Sequence, residues 1–94
     1  MSANPENSQE TSLLQFPCEF PIKIVGRRED GFAQVVSEIV QRHVEGFEPS
    51  TIGMRASRNA RFLSLTATFT ARSREQLDAL YRELCDHPGV VMVL

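Results

Sequence analysis

Phe20, Ile22 and Ile24 alternate with Pro21, Lys23 and Val25, a period of two that predicts a strand over residues 20–25 with one face buried. Gly26-Arg27-Arg28-Glu29-Asp30-Gly31 breaks the alternation. Phe32, Val35, Val36, Ile39, Val40, His43 and Val44 then recur at helical spacing and predict a first helix. Glu29 and Asp30 stand where carboxylates complement exposed helix N–H groups, Arg42 and His43 stand near the end, and Gly46 offers a left-handed stop. Beyond Pro49, Ile52, Met54 and Ala56 alternate with polar or small residues, Arg58-Asn59-Ala60 reads as a turn, and Arg61 opens a second alternating run. Leu63, Leu65, Ala67, Phe69 and Ala71 share one face of that run, and Phe62, Ser64, Thr66, Thr68 and Thr70 share the other. Ser73 and Gln76 have the spacing of a capping box ahead of Leu77, Leu80, Tyr81, Leu84 and Cys85, the stripe of a second helix. His87-Pro88-Gly89 must end that helix before the apolar run Val90–Leu94.

The order is strand, helix, two strands, helix, strand. It predicts an α+β fold of ferredoxin-like βαββαβ topology: a four-stranded antiparallel sheet with two helices on one face. The other face stays open. It carries Lys23, Val25, Thr66 and Thr68 beside the apolar C-terminal strand, and a half-apolar open face is expected to drive self-association. Residues 1–12 lack apolar periodicity and are expected to form a disordered tail, leaving residues 13–94 as one domain. Ninety-four residues suffice for a single core.

Ten basic residues stand against twelve acidic ones, for a net charge of −2. Glu6 and Glu10 lie in the tail, so the domain itself is neutral and offers no general attraction to nucleic acid or an anionic membrane. The N-terminus lacks the basic start and apolar run of a signal peptide, and no stretch approaches the roughly twenty apolar residues of a membrane span, so a cytoplasmic location is expected. Cys18 and Cys85 fit no zinc or redox spacing and are expected to be buried thiols. Cys85 and His87 straddle a helix end without further ligands, and His43 closes an apolar stripe, where a half-buried imidazole near the negative helix end is expected. No nucleophile with its base, carboxylate pair or metal cluster can be assembled, so neither enzymatic activity nor a cofactor is expected.

The segments LLQFPCEFPIKIVG, VVSEIVQRH, LDALYREL and VVMVL resemble the YbeD-like family of small bacterial proteins, whose members look like the ACT-type regulatory domains of amino-acid metabolism. The resemblance spans Leu13 to Leu94 and implies the same fold. It also implies a metabolic context, since members are often encoded near lipoate-attachment genes, and small effectors bound around the first strand–helix loop at a subunit interface. Gly26, Arg27, Arg28 and Gly31 are accordingly the candidate ligand-binding residues, because a helix N-terminus beside two arginines can hold an anion. Against that, Glu29 and Asp30 would repel an anion, and a solvated turn with self-neutralising charges is the competing reading. Arg55, Arg58 and Arg61 form an alternative basic edge around the hairpin, suited to nucleic acid, but an RNA-binding sheet of this topology needs aromatic stacking residues and only Phe62 is available. The reading that follows is a non-enzymatic regulatory or interaction module. It self-associates and binds a small anionic metabolite or a metabolic enzyme, with a nucleic-acid adaptor as the alternative.

Overall fold

The computed structural model describes residues 15–94, so the expected tail over residues 1–12 lies outside the described residues. The elements are β1 (Cys18–Arg27), α1 (Phe32–His43), a short 3-10 turn at Pro49–Thr51, β2 (Gly53–Ala56), β3 (Phe62–Ala71), α2 (Arg74–Asp86) and β4 (Val90–Val93). All pairings are antiparallel and the strand order is β2-β3-β1-β4. This is the ferredoxin-like βαββαβ arrangement that the alternating and helical spacings predict.

The period-two pattern becomes a two-sided sheet. Ile22, Ile24, Leu65, Ala67, Phe69 and Ala71 are buried on one face, and Val36, Ile39, Val40, Leu77, Leu80 and Leu84 of the helices close over them. Phe47 and Val44 fill the core where the chain leaves α1. Ser73 caps α2, its Oγ accepting the Gln76 N–H at 3.1 Å. The rest of the capping box is displaced by one residue: Gln76 Oε1 accepts from the Arg72 N–H at 2.6 Å, while Gln76 Nε2 donates to the His43 carbonyl at 2.8 Å. One side chain thus joins the start of α2 to the end of α1.

Several expectations are corrected. The first strand runs two residues further at each end than 20–25, because its ladder with β3 continues from Cys18 opposite Ala71 to Arg27 opposite Phe62. Gly26 and Arg27 are therefore strand, not loop. Neither cysteine is buried: Cys18 is half-buried at the start of β1 and Cys85 is exposed, since the buried stripe of α2 runs through Leu77, Leu80 and Leu84 and Cys85 falls one position past it. Met54 sits opposite Leu65 on the helix side, yet it is 63% exposed because β2 is an edge strand that the helices do not cover. Glu29 and Asp30 lie ahead of α1, whose first turn contains no acid.

The helices are also linked by charge. Glu83 of α2 accepts from Arg42 and lies 2.6 Å from Nε2 of the half-buried His43, both at the end of α1. These two hydrogen bonds, that of Arg42 first, hold the Glu83 carboxyl below its ordinary value of 4.5. A carboxylate depressed in the folded state stabilises the fold above its unfolded pKa, and the contribution is lost as pH falls through the lower folded value. Glu83→Gln should therefore remove part of the stability lost on acidification below about pH 4.5, with a cost at neutral pH of about 1 kcal/mol or less because the pair is solvent-exposed. Urea melts of both proteins across that range check this, and an unchanged acid profile would count against it.

Gly26 provides the sharper stability prediction. A Cβ there would fall inside contact distance of the Phe32 ring and 2.6 Å from the Gly89 carbonyl oxygen. Gly26→Ala should cost roughly 1–3 kcal/mol as Phe32 is displaced, read from the urea midpoint.

Candidate functional site

The candidate segment lies where β1 leaves the sheet. The Arg28 N–H donates to the Arg61 carbonyl at 2.9 Å, tying the segment to the base of the β2–β3 hairpin. Gly31 takes φ +82°, a left-handed conformation suited to glycine, and starts α1 without any side-chain cap. The Phe32 N–H bonds the Glu29 carbonyl and the Val35 N–H bonds the Gly31 carbonyl. Among the described residues no protein acceptor meets the N–H groups of Ala33 and Gln34. They remain as the donors of an uncapped helix start.

A cleft of about 520 Å³ opens on this helix start, walled by Arg28, Glu29, Asp30 and Gly31 on one side and by Ala60 and Leu63 on the other. The four candidate residues thus separate. Arg28 and Gly31 line the cleft. Gly26 is buried beneath the Phe32 ring, where it serves packing. Arg27 pairs with Phe62 and belongs to the open sheet face. The two acids expected to shield the helix N-terminus make no capping bond, yet both line the cleft, which therefore presents one cation, two carboxylates and free backbone donors.

The hairpin arginines also separate. Its turn is closed by Ser57 and Asn59: the Ser57 Oγ donates to Asn59 Oδ1 and accepts from the Phe62 N–H, and Asn59 Oδ1 also accepts from the Arg61 N–H. Ala60 completes the turn with φ +60°. Arg58 and Arg61 sit in this exposed turn, and Arg61 adjoins Arg28 through the backbone bond, so the loop and the hairpin tip form one end of the molecule. Arg55 lies apart in β2, opposite Ser64 on the open face.

Both histidines serve structure. His43 is engaged by Glu83, and His87 Nδ1 accepts the Gly89 N–H at 3.0 Å, which shapes the turn into β4. Burial, and secondarily Cys85, raises the Tyr81 pKa on the flank of α2. Among the described residues there is no group of three or more His, Cys, Asp or Glu placed to hold a metal ion, and no helix is long and apolar enough to cross a membrane. The bridging role of Glu83 went unread in the sequence, because its partners lie about forty residues away and nothing local marks the pair.

Solved structures share the architecture. Protein HP0495 of Helicobacter pylori superposes with a TM-score of 0.72 at 16% identity, covering 100% of this chain and 98% of its own. The ACT domain from the GTP pyrophosphokinase of Chlorobium tepidum superposes with a TM-score of 0.66 at 18% identity, covering 83% of this chain and 96% of that one. Among curated proteins, a UPF0250 protein of Nitrosomonas europaea is 51% identical over 85 residues, 90% of this chain and 98% of its own length. A UPF0250 protein of Bordetella pertussis is 47% identical over 85 residues, 90% of this chain and 93% of its own length. A family model described as a protein of unknown function, DUF493, matches residues 11–94. The chain belongs to this DUF493 family, the YbeD-like proteins that carry the name UPF0250.

Proposed function

We propose that this protein is a non-enzymatic regulatory module that binds a small carboxylate-bearing metabolite in the cleft at the start of α1. The observation that carries the reading is the uncapped helix N-terminus opening onto a cleft beside Arg28. Free N–H groups and a guanidinium supply the directed donors and the charge that a carboxylate needs. Glu29 and Asp30 then have a complementary use: they face the same space and suit an ammonium group, so a zwitterion satisfies both signs where a simple anion would be repelled by one. The fold shared with an ACT domain accords with a regulatory module.

Self-association belongs to the same reading. The outer edge of β2 is unpaired, and all four of its residues are exposed. Beside it Met54, Ile52 and Ala33 line a groove of about 510 Å³ between α1 and the edge. A second copy adding its own β2 would continue the sheet, satisfy the free edge groups and cover Met54.

Two outcomes are expected. Titration calorimetry with glutamate, aspartate, succinate and inorganic phosphate should find a ligand among the zwitterions, and Arg28→Ala should weaken it by about 1–3 kcal/mol. Arg27→Ala should leave that affinity within about 0.5 kcal/mol. Should Arg58→Ala with Arg61→Ala abolish binding while Arg28→Ala does not, the cleft assignment is wrong. Sedimentation at micromolar concentration should show a dimer that Met54→Lys disperses, whereas a monomer throughout would overturn the edge interface.

A further inference from the structure

The sheet face turned away from the helices is built by strand register. Arg55, Ser64, Val25 and Met92 form one row across the four strands, and Gly53, Thr66 and Lys23 form the next. Leu94 extends the second row, because it and Lys23 exchange backbone hydrogen bonds in both directions, at 3.1 and 2.8 Å. Arg27 faces Phe62 one row beyond. Three cations therefore share a face with Phe62, Met92 and Leu94, which are 38%, 47% and 60% exposed. Among the described residues none of the three cations is in an ion pair. Glu19, the acid on this face of β1, stands four residues from Lys23, on the order of 13 Å along the strand.

One place on this face is shaped to receive a charge. Gly53 contributes no side chain to its row, which leaves a notch of about 260 Å³ between Lys23 and Arg55, with Ser64 and Thr66 beside it. An ammonium, a guanidinium and two hydroxyls are the donors that a carboxylate takes. Val25, Met92 and Leu94 continue from the notch as an apolar strip.

We propose that the open sheet face docks an acidic segment of a partner protein, seating a carboxylate in the Lys23–Arg55 notch and apolar side chains on Val25, Met92 and Leu94. The alternation of charge and apolar surface selects this occupant. Self-association through this face, expected from its apolar half, is disfavoured, because a second copy stacked face to face would bring two sets of Lys23, Arg27 and Arg55 together and like charges so gathered oppose association. Nucleic acid would leave Met92 and Leu94 without the stacking that bases seek, since Phe62 is the aromatic of this face. The surface is distinct from the cleft at α1, which Arg28 lines, so the two assignments stand or fall separately.

Fluorescence anisotropy on the full chain tests the proposal, using a labelled short peptide alternating Glu with Val, its Gln-for-Glu counterpart, and a single-stranded uridine oligonucleotide. The Glu peptide should bind and weaken with added salt, and the Gln peptide should bind about tenfold or more weakly. Lys23→Ala with Arg55→Ala should lower affinity for the Glu peptide by about tenfold or more, and Met92→Ser should lower it for an independent, uncharged reason. Arg28→Ala should leave it unchanged. Melting curves establish that each variant is folded, as expected for exposed positions. No binding of the Glu peptide up to millimolar concentration, equal binding by the double variant, or tighter binding of the oligonucleotide at the same face would each overturn the proposal.

Discussion

Where β1 ends, three segments meet at a residue with no side chain. The bare Cα of Gly26 lets the Phe32 ring lie against the strand and brings the Gly89 carbonyl close enough to accept the Arg27 N–H at 3.1 Å. Phe32 is the first residue of α1 and Gly89 belongs to the turn that leads into β4, so this contact sets where the helix begins and where the last strand joins the sheet. The bulge between Val25 and Gly26 in the β1–β4 pairing lies at the same point. With α1 seated by its first aromatic residue, its N-terminal N–H groups have to face the cleft beside Arg28. The cleft is thus a consequence of close packing at Gly26.

Most of the fold is legible in the sequence because burial is strongly one-sided. Leu65, Ala67, Phe69 and Ala71 alternate with Ser and Thr without interruption, and the stripe of α2 is bounded by recognisable signals, Ser73 on one side and His87-Pro88-Gly89 on the other. The failures occur where hydrogen bonding and hydrophobicity part company. Gly26 has no side chain to continue the alternation, so the ladder outlasts the pattern and Gly26 and Arg27 look like loop. Met54 keeps the parity of a core residue, but periodicity carries no information about whether a strand is central or at an edge.

The same distinction governs the site. Arg28 and Gly31 are legible as a break in period just before a helix, whereas the roles of Gly26 and Arg27 depend on which side of the pleat each occupies. Parity supplies that answer once the strand is extended: Lys23, Val25 and Arg27 share a face, opposite Ile22, Ile24 and Gly26. Adjacent arginines therefore serve different surfaces, Arg27 the open face and Arg28 the cleft. The notch at Gly53 is a different case. It exists because β2 sets Gly53 opposite Thr66, a cross-strand register that no local pattern encodes.

Charge shows why a summed property misleads in a layered fold. The neutral domain divides into a sheet face bearing Lys23, Arg27 and Arg55 against Glu19, and a helix layer on which Glu38, Glu75, Asp78, Glu83 and Asp86 outnumber Arg42, Arg74 and Arg82. At physiological ionic strength charge is screened over about 8 Å, while a helix packed on a sheet sets its own far surface further away than that, the packing distance alone being about 10 Å. A partner approaching the open face therefore meets the cations there with little cancellation from the acids behind them. Neutrality of the whole excludes long-range attraction to polyanions, as its total charge implies, but leaves short-range recognition intact on a face where one sign prevails. The strand alternation that buries Ile22 and Ile24 is also what gathers that sign on the opposite face.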